Sequence, residues 1–132
     1  MSADHVAGGF VGRWFDLLSE HAPVDQLLSM ASATDLEMVF PERTLRSHRD
    51  FRDWYATVGD TFTDQGHVVK ELDARDDADR TDVTLIVVWT ATRRSDGARL
   101  AYRVNQSWQL IASADTGAPV IARYRVLSLE GI

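Results

Sequence analysis

Two long runs of β-branched and aromatic residues dominate the middle of the chain. The first covers residues 81–92 and the second covers residues 99–111, with Ser95-Asp96-Gly97 between them. Runs of this kind on either side of a glycine-containing turn predict a long antiparallel hairpin. At about 3.4 Å per residue each arm is roughly 35–40 Å long, whereas a usual strand has about five or six residues. Strands this long bend, so the hairpin predicts a curved sheet.

The second arm has two chemically different faces, because successive side chains of a strand point to opposite sides. We expect the face that carries Gln106 to be buried on the concave side, where a buried amide needs hydrogen-bond partners or a ligand. If the faces are reversed, Arg103 and Asn105 enter the concave side instead. The first face consists of Leu100, Tyr102, Val104, Gln106, Trp108 and Leu110, and the second of Arg99, Ala101, Arg103, Asn105, Ser107 and Gln109.

Composition limits the classes of protein to which the chain can belong. The 132 residues, 45% of them hydrophobic, are enough for one globular domain over residues 1–132. A net charge of −6 and a single lysine, Lys70, argue against nucleic acid or an anionic membrane as a partner. The absence of cysteine excludes disulfides, thiolate chemistry and cysteine-ligated zinc. No apolar run approaches membrane-spanning length and the first residues do not resemble a signal peptide, so we expect a cytoplasmic protein.

Helical spacing of apolar residues dominates the first half of the chain. It predicts an amphipathic helix over residues 5–21 and a short helix over 25–30 that follows Pro23. Ser47 and Asp50 predict the start of a third helix, whose apolar stripe is Phe51, Trp54, Tyr55, Val58 and Phe62.

Alternating patterns predict the strands. A short one covers residues 35–41, and four more follow the third helix at 67–74, 81–92, 99–111 and 120–129. Three helices followed by a curled antiparallel meander predict an α+β domain with the helices packed on one face of the sheet.

The order of these elements resembles the nuclear transport factor two-like superfamily, which includes ketosteroid isomerase, scytalone dehydratase, limonene epoxide hydrolase and the SnoaL-like polyketide cyclases. The resemblance covers nearly the whole chain and implies a cone-shaped, curved antiparallel sheet with the three helices on its concave face. The local motifs that carry the resemblance are residues 24–30, Ala33-Thr34, Phe51-Arg-Asp-Trp-Tyr, and Ser107-Trp-Gln-Leu followed by Val120-Ile121.

The resemblance does not supply the catalytic residues of the isomerases and cyclases. Phe40 precedes Pro41 where an isomerase has its aspartate, and Trp14 or Phe15 occupies the place of its tyrosine. Gln106 falls where those enzymes have an aspartate or histidine, and Arg125 falls near the acidic residue of the cyclases. None of these side chains can act as a base or acid near neutral pH, so the familiar mechanisms are excluded if the alignment holds.

Asp35 and His67 remain as candidate catalytic residues, and each has a structural alternative. Asp35 is either a base or a turn residue, and His67 is either a pocket residue or a hydrogen-bonded histidine at a strand edge. The four histidines lack ligand spacing, and the aspartates of residues 73–82 fit a solvated hairpin turn better than a calcium loop. We therefore expect no metal and no cofactor.

Arg103 and Asn105 allow two interpretations. They resemble the Arg/Asp pairing of limonene epoxide hydrolase, or they build a polar homodimer interface together with Gln109. We expect the homodimer.

Together these patterns predict a SnoaL-like domain that binds a small, largely apolar or cyclic metabolite in an aromatic-lined pocket. The alternatives are a SnoaL-like enzyme, of cyclase, isomerase, dehydratase or epoxide hydrolase type, that uses Asp35 or His67, and an association module whose cavity is filled by its own side chains. The expected walls are Trp14, Phe40, Trp54, Trp89 and Trp108, and the expected polar contacts are Tyr55, Tyr102 and Gln106.

Overall fold

One six-stranded sheet forms the scaffold, and the predicted hairpin lies within it. A computed structural model describes residues 3–132. The strand order is β2-β1-β6-β5-β4-β3, and β1 and β6 are the parallel neighbours in a sheet whose other pairs are antiparallel. The elements are α1 (Ala3–Glu20), α2 (Val24–Leu28), β1 (Glu37–Val39), β2 (Thr44–Leu45), α3 (His48–Thr61), β3 (Phe62–Asp76), β4 (Thr81–Arg93), β5 (Arg99–Ala112) and β6 (Pro119–Gly131).

Two strand pairs of the curved sheet, β3–β4 and β5–β6, are interrupted by β-bulges. The central β4–β5 pair runs without a shift of register from Thr81↔Leu110 to Thr92↔Arg99. In the β5–β6 pair, Asn105 pairs with Ser128 and Gln106 pairs with Val126, so Leu127 is an extra residue. Bulges bend a strand and increase its twist. This one also points Val126 and Leu129 to the same side of the sheet, since both line the concave cavity.

The helices cover the concave face, as the sequence predicts. The apolar stripe of α1 includes Val11, Trp14 and Phe15, which are buried. The buried face of β5 is the predicted one, because Val104, Gln106, Trp108 and Leu110 are all buried. The prediction of a cone-shaped α+β fold with three helices on the concave face is therefore confirmed.

The third helix begins as predicted and ends one residue early. Ser47 Oγ accepts a hydrogen bond from the Asp50 amide (3.1 Å), and Asp50 Oδ2 accepts one from the Arg46 amide (2.9 Å). The last stripe residue, Phe62, is already extended and begins β3, five residues before the predicted start. Its ring packs edge-on against Trp89, with centroids 5.0 Å apart.

The first strand is shorter than predicted, and a second short strand was not predicted. β1 covers only residues 37–39, since the Asp35 amide is turned toward Ser32 Oγ (3.1 Å) in the preceding turn. β2 returns after the connection that contains Pro41 and pairs with β1 over two residue pairs.

A contact between α1 and α3 fixes the helices relative to each other. His21 has a φ of 49°, which ends α1, and its ring stacks on Tyr55 with centroids 4.2 Å apart. The Tyr55 hydroxyl donates a hydrogen bond to the Ala22 carbonyl (2.5 Å). Gly59 lies against the same His21 ring, and a Cβ there would be 2.6 Å from Nε2.

Candidate ligand-binding cavity

The concave face encloses a cavity of about 550 Å³. Its walls are the inner face of β3–β6, one side of α3 and the connection between β1 and β2, with Phe15 and Leu18 of α1 at one end. Most of the lining is apolar, and the aromatic side chains within it include Phe40, Trp54, Tyr55, Trp89, Tyr102 and Tyr124.

The rings form two stacked pairs on separate walls. Phe40 stacks on Trp54 of α3 with centroids 4.4 Å apart. On the sheet, Trp89 and Tyr102 are direct partners across β4 and β5, and their rings stack at 5.9 Å. An apolar molecule in the cavity would therefore have ring faces or edges on two sides.

Three indole N–H groups near the cavity are each satisfied by a side-chain oxygen. Trp54 Nε1 donates to Glu42 Oε1 (3.1 Å), and Trp89 Nε1 donates to Gln65 Oε1 (3.1 Å). Trp108 Nε1 donates to Gln106 Oε1 (2.9 Å). Gln65 was not singled out in the sequence, although strand alternation places it on the same side as His67.

His67 faces the cavity from β3, and two residues of α1 contact its ring. Its Nδ1 lies 2.9 Å from Ser19 Oγ, and its ring stacks on Phe15 at 5.2 Å. Burial lowers the pKa of His67 to about 4, so the imidazole is neutral near pH 7. Ser19 was also missed from the sequence, but it lies one helical turn after Phe15 on α1 and therefore shares its face.

Two tyrosines in the lining remain protonated at neutral pH. Burial raises the pKa of Tyr55 to about 12. Burial also raises the pKa of Tyr124 above its ordinary value, and the Gln106 amide and the Trp14 indole partly oppose that shift. The Trp14 contact does not reach ordinary hydrogen-bond geometry, because Trp14 Nε1 is the one buried side-chain nitrogen or oxygen of residues 3–132 without a partner.

The cavity brings together most of the side chains predicted for it. Two predicted wall residues, Trp14 and Trp108, instead lie in the core behind the lining, where they pack edge to face at 6.1 Å. Rings of this size fill the space between α1 and the sheet before they can reach the cavity. The predicted residues that do line it are Phe40, Trp54, Tyr55, His67, Trp89, Tyr102 and Gln106.

Asp35 does not belong to the lining. Its side chain is 60% exposed and forms an ion pair with Arg123 (3.0 Å). The structure thus separates the two candidate catalytic residues, since only His67 faces the cavity.

The outer face of the sheet carries the second set of predicted polar residues. Asn105 Nδ2 donates to Ser128 Oγ (2.7 Å), and Arg125 pairs with Glu37 (3.6 Å). Arg103 and Asn105 alternate with cavity residues along β5 and do not line the cavity. The structure therefore places the predicted Arg103 and Asn105 pair outside the pocket.

Carboxylates of the acidic hairpin between β3 and β4 are paired with an arginine and a threonine of the same hairpin. Arg80 pairs with Asp77 (3.8 Å) and Asp82 (3.1 Å), and Thr81 Oγ1 donates to Asp76 (2.8 Å). Across residues 3–132 no three histidine or carboxylate side chains are grouped as metal ligands. None of the helices in that range is long and apolar enough to cross a membrane.

Comparison with known proteins finds similar proteins by structure and not by sequence. No model of a protein family matches the chain, and no curated protein matches it in sequence. A candidate aromatic ring hydroxylase from Novosphingobium aromaticivorans superposes with a TM-score of 0.84 at 12% identity, over 98% of this chain and 93% of its own. A nuclear transport factor 2-like superfamily protein from Salmonella enterica superposes with a TM-score of 0.82 at 15% identity, over 98% of this chain and 90% of its own.

A ketosteroid isomerase-like protein from Erwinia carotovora atroseptica gives a TM-score of 0.78 at 19% identity, over 99% of this chain and 97% of its own. Identities this low establish the fold and no activity. The cone-shaped architecture is nevertheless shared over almost the full length of each pair.

Proposed function

Starting from the nuclear transport factor two-like fold of this chain, we propose that it binds a small, largely apolar or cyclic molecule in its concave cavity. The supporting observation is the open volume of about 550 Å³ between two stacked aromatic pairs. That volume falls in the usual range of small-molecule sites, roughly 300–1,000 Å³. An association module with a self-filled interior would leave no such space.

Most of the lining is apolar, and its polar side chains differ in the contacts that they leave open to a ligand. The Tyr102 hydroxyl has no hydrogen-bond partner among residues 3–132, and it can therefore bind a ligand without losing an existing contact. Tyr55 offers its ring only, since its hydroxyl is bonded to Ala22. Gln106 offers its NH₂ group, since its Oε1 accepts a hydrogen bond from Trp108.

A titration with a neutral naphthalene ketone, 6-propionyl-2-dimethylaminonaphthalene, tests the proposal through the blue shift of its emission. We expect saturable binding to the unaltered chain and at least about tenfold weaker binding to Val126→Trp, because the indole would fill the cavity that Val126 lines. Val6→Trp is the matched control, since Val6 is exposed on α1. Equal affinity of the Val126→Trp variant and the unaltered chain would place the probe elsewhere and contradict the proposal.

A catalytic role for the same cavity is the second candidate, and the placement of His67 favours it. The ring faces the cavity and is anchored by Ser19, and one structural neighbour is described as a candidate ring hydroxylase. With a pKa of about 4, His67 is a weak base at neutral pH and is better suited to donate a hydrogen bond to a substrate oxygen. Any turnover found with a ring substrate should be lost in His67→Phe and kept in Asp35→Asn, whereas the reverse would move the site to Asp35.

We also propose that the chain forms a homodimer through the outer face of the sheet. Val68, which alternates with the cavity residue His67 along β3, is 53% exposed there, and Leu127 at the bulge of β6 is 61% exposed. Arg103 and Asn105 supply polar groups on the same face.

A further inference from the structure

The sheet wall of the cavity contains two glutamines whose oxygens are already used. Gln65 Oε1 and Gln106 Oε1 each accept an indole N–H, at 3.1 Å and 2.9 Å. An indole nitrogen is only a donor, so each amide must turn its oxygen toward the indole and its NH₂ away from it. Within residues 3–132 neither NH₂ group has another hydrogen bond of ordinary geometry. Both glutamines line the cavity, and both therefore present donors to it.

His67 and Tyr124 extend this pattern on the same wall. Ser19 Oγ lies 2.9 Å from His67 Nδ1, and its hydroxyl donates to this nitrogen when the imidazole carries its proton on Nε2. A neutral imidazole that accepts at Nδ1 carries its own proton on Nε2. The Tyr124 hydroxyl also lines this wall and can donate its O–H.

Apart from Arg43, whose guanidinium pairs with Asp50 (4.0 Å), the opposite wall offers acceptors. Thr57 Oγ1 donates to the Asp53 carbonyl (3.1 Å), and Thr61 Oγ1 donates to the Thr57 carbonyl (2.7 Å). Their protons are thus used within α3, and their oxygens can only accept. Glu42, which also belongs to the lining, is a carboxylate that already accepts from Trp54.

We infer that the cavity selects ring compounds that present a carbonyl-type oxygen to the sheet wall over the corresponding alcohols. This inference rests on the proposed function and narrows its ligand class to ketones, quinones or lactones. An alcohol that faces the donors of Gln65 and Gln106 must also find an acceptor for its own O–H, such as the Tyr102 hydroxyl, whereas a carbonyl oxygen has no proton to place. An unmatched buried donor weakens binding by roughly tenfold or more.

Three bicyclic compounds of nearly equal size test the inference on the unaltered chain: 1-tetralone, 1-tetralol and tetralin, measured by isothermal titration calorimetry. We expect 1-tetralone to bind at least about tenfold more tightly than 1-tetralol. Equal affinities, or tighter binding of the alcohol, would overturn the inference while the cavity remained a binding site. Failure of all three to bind would contradict the proposed function itself.

The variant Gln65→Glu tests the assigned donor directly. A carboxylate keeps one oxygen for Trp89 and replaces the NH₂ by a second acceptor, so the preference for the ketone should fall several-fold. Gln26→Glu on α2 is the matched control, because it adds the same charge at an exposed position outside the cavity. An unchanged preference in Gln65→Glu would show that its amide does not select the ligand.

Discussion

Gln106 connects the core to the cavity through a single amide. Its oxygen satisfies the indole of fully buried Trp108, and its NH₂ lies toward the cavity and Tyr124. In the sequence it is the one polar residue on an otherwise apolar strand face. That pattern predicts a residue with a partner, but it does not tell whether the partner is a ligand or the core.

Replacement of Gln106 by methionine should destabilise the fold by about 1–3 kcal/mol, because the Trp108 N–H loses its acceptor in a buried place. Urea denaturation measures the change. In the double variant Gln106→Met, Trp108→Phe the donor is removed as well. Its loss of stability should therefore be smaller than the sum of the losses in the two single variants. Strict additivity would mean that the hydrogen bond contributes nothing to stability.

His67 should make stability fall as the solution is acidified. Its pKa is about 4 in the folded chain and about 6.5 when unfolded, so below pH 6.5 the unfolded chain binds the proton first. The loss begins near pH 6.5, grows as the pH falls to about 4, and then levels off at no more than about 3 kcal/mol. Urea denaturation at several pH values should show a shallower decline for His67→Gln. Parallel curves for the two proteins would contradict the assignment.

At the scale of elements, two helical glycines differ in their surroundings. Gly9 in α1 has nothing within 4 Å of an added Cβ, whereas a Cβ at Gly59 in α3 would meet the His21 ring. Gly9→Ala should stabilise the fold by up to about 1 kcal/mol, because alanine favours the helix. The free energy of unfolding of Gly59→Ala should be about 1 kcal/mol lower than that of Gly9→Ala, since the added methyl group displaces His21 from Tyr55. Thermal denaturation of both variants checks this, and equal stabilisation would contradict the contact.

The sequence predicts long, regular elements better than their ends. The β4–β5 hairpin follows from alternation and one turn, and these are local signals. Phe62 continues the helical stripe of α3 yet begins β3, because packing on Trp89 outweighs the local pattern. β2 has only two residues and exists through its pairing with β1, which no local pattern encodes.

In the candidate site too, some residues follow from local sequence patterns and others depend on tertiary contacts. Alternation along β5 places Tyr102, Val104 and Gln106 on one face, and the structure has them there. Ser19 and Gln65 matter only through partners on other elements, His67 and Trp89, so their roles depend on tertiary contacts. The sequence pattern places Trp14 and Trp108 on the cavity side of their elements, but periodicity does not tell whether a side chain reaches the cavity or stays in the core behind it.

At the scale of the whole molecule, the proposed dimer places the outer sheet face between two copies. We expect sedimentation equilibrium to give twice the chain mass of 14.8 kDa. Leu127→Glu should shift the population toward monomer, because it buries a charge in the interface. Val6→Glu on exposed α1 is the control. A monomeric unaltered chain would contradict the dimer and leave the cavity unaffected.

The central claim, that the concave cavity binds a ring-containing molecule, is tested most directly by the four indole N–H signals in a ¹⁵N NMR titration with 1-tetralone. Trp54 and Trp89 line the cavity, whereas Trp14 lies outside it, and Trp→Phe variants assign each signal. We predict saturable shifts for Trp54 and Trp89 with the smallest change at Trp14. Shifts at neither cavity tryptophan, up to the solubility limit of the ketone, would contradict the claim.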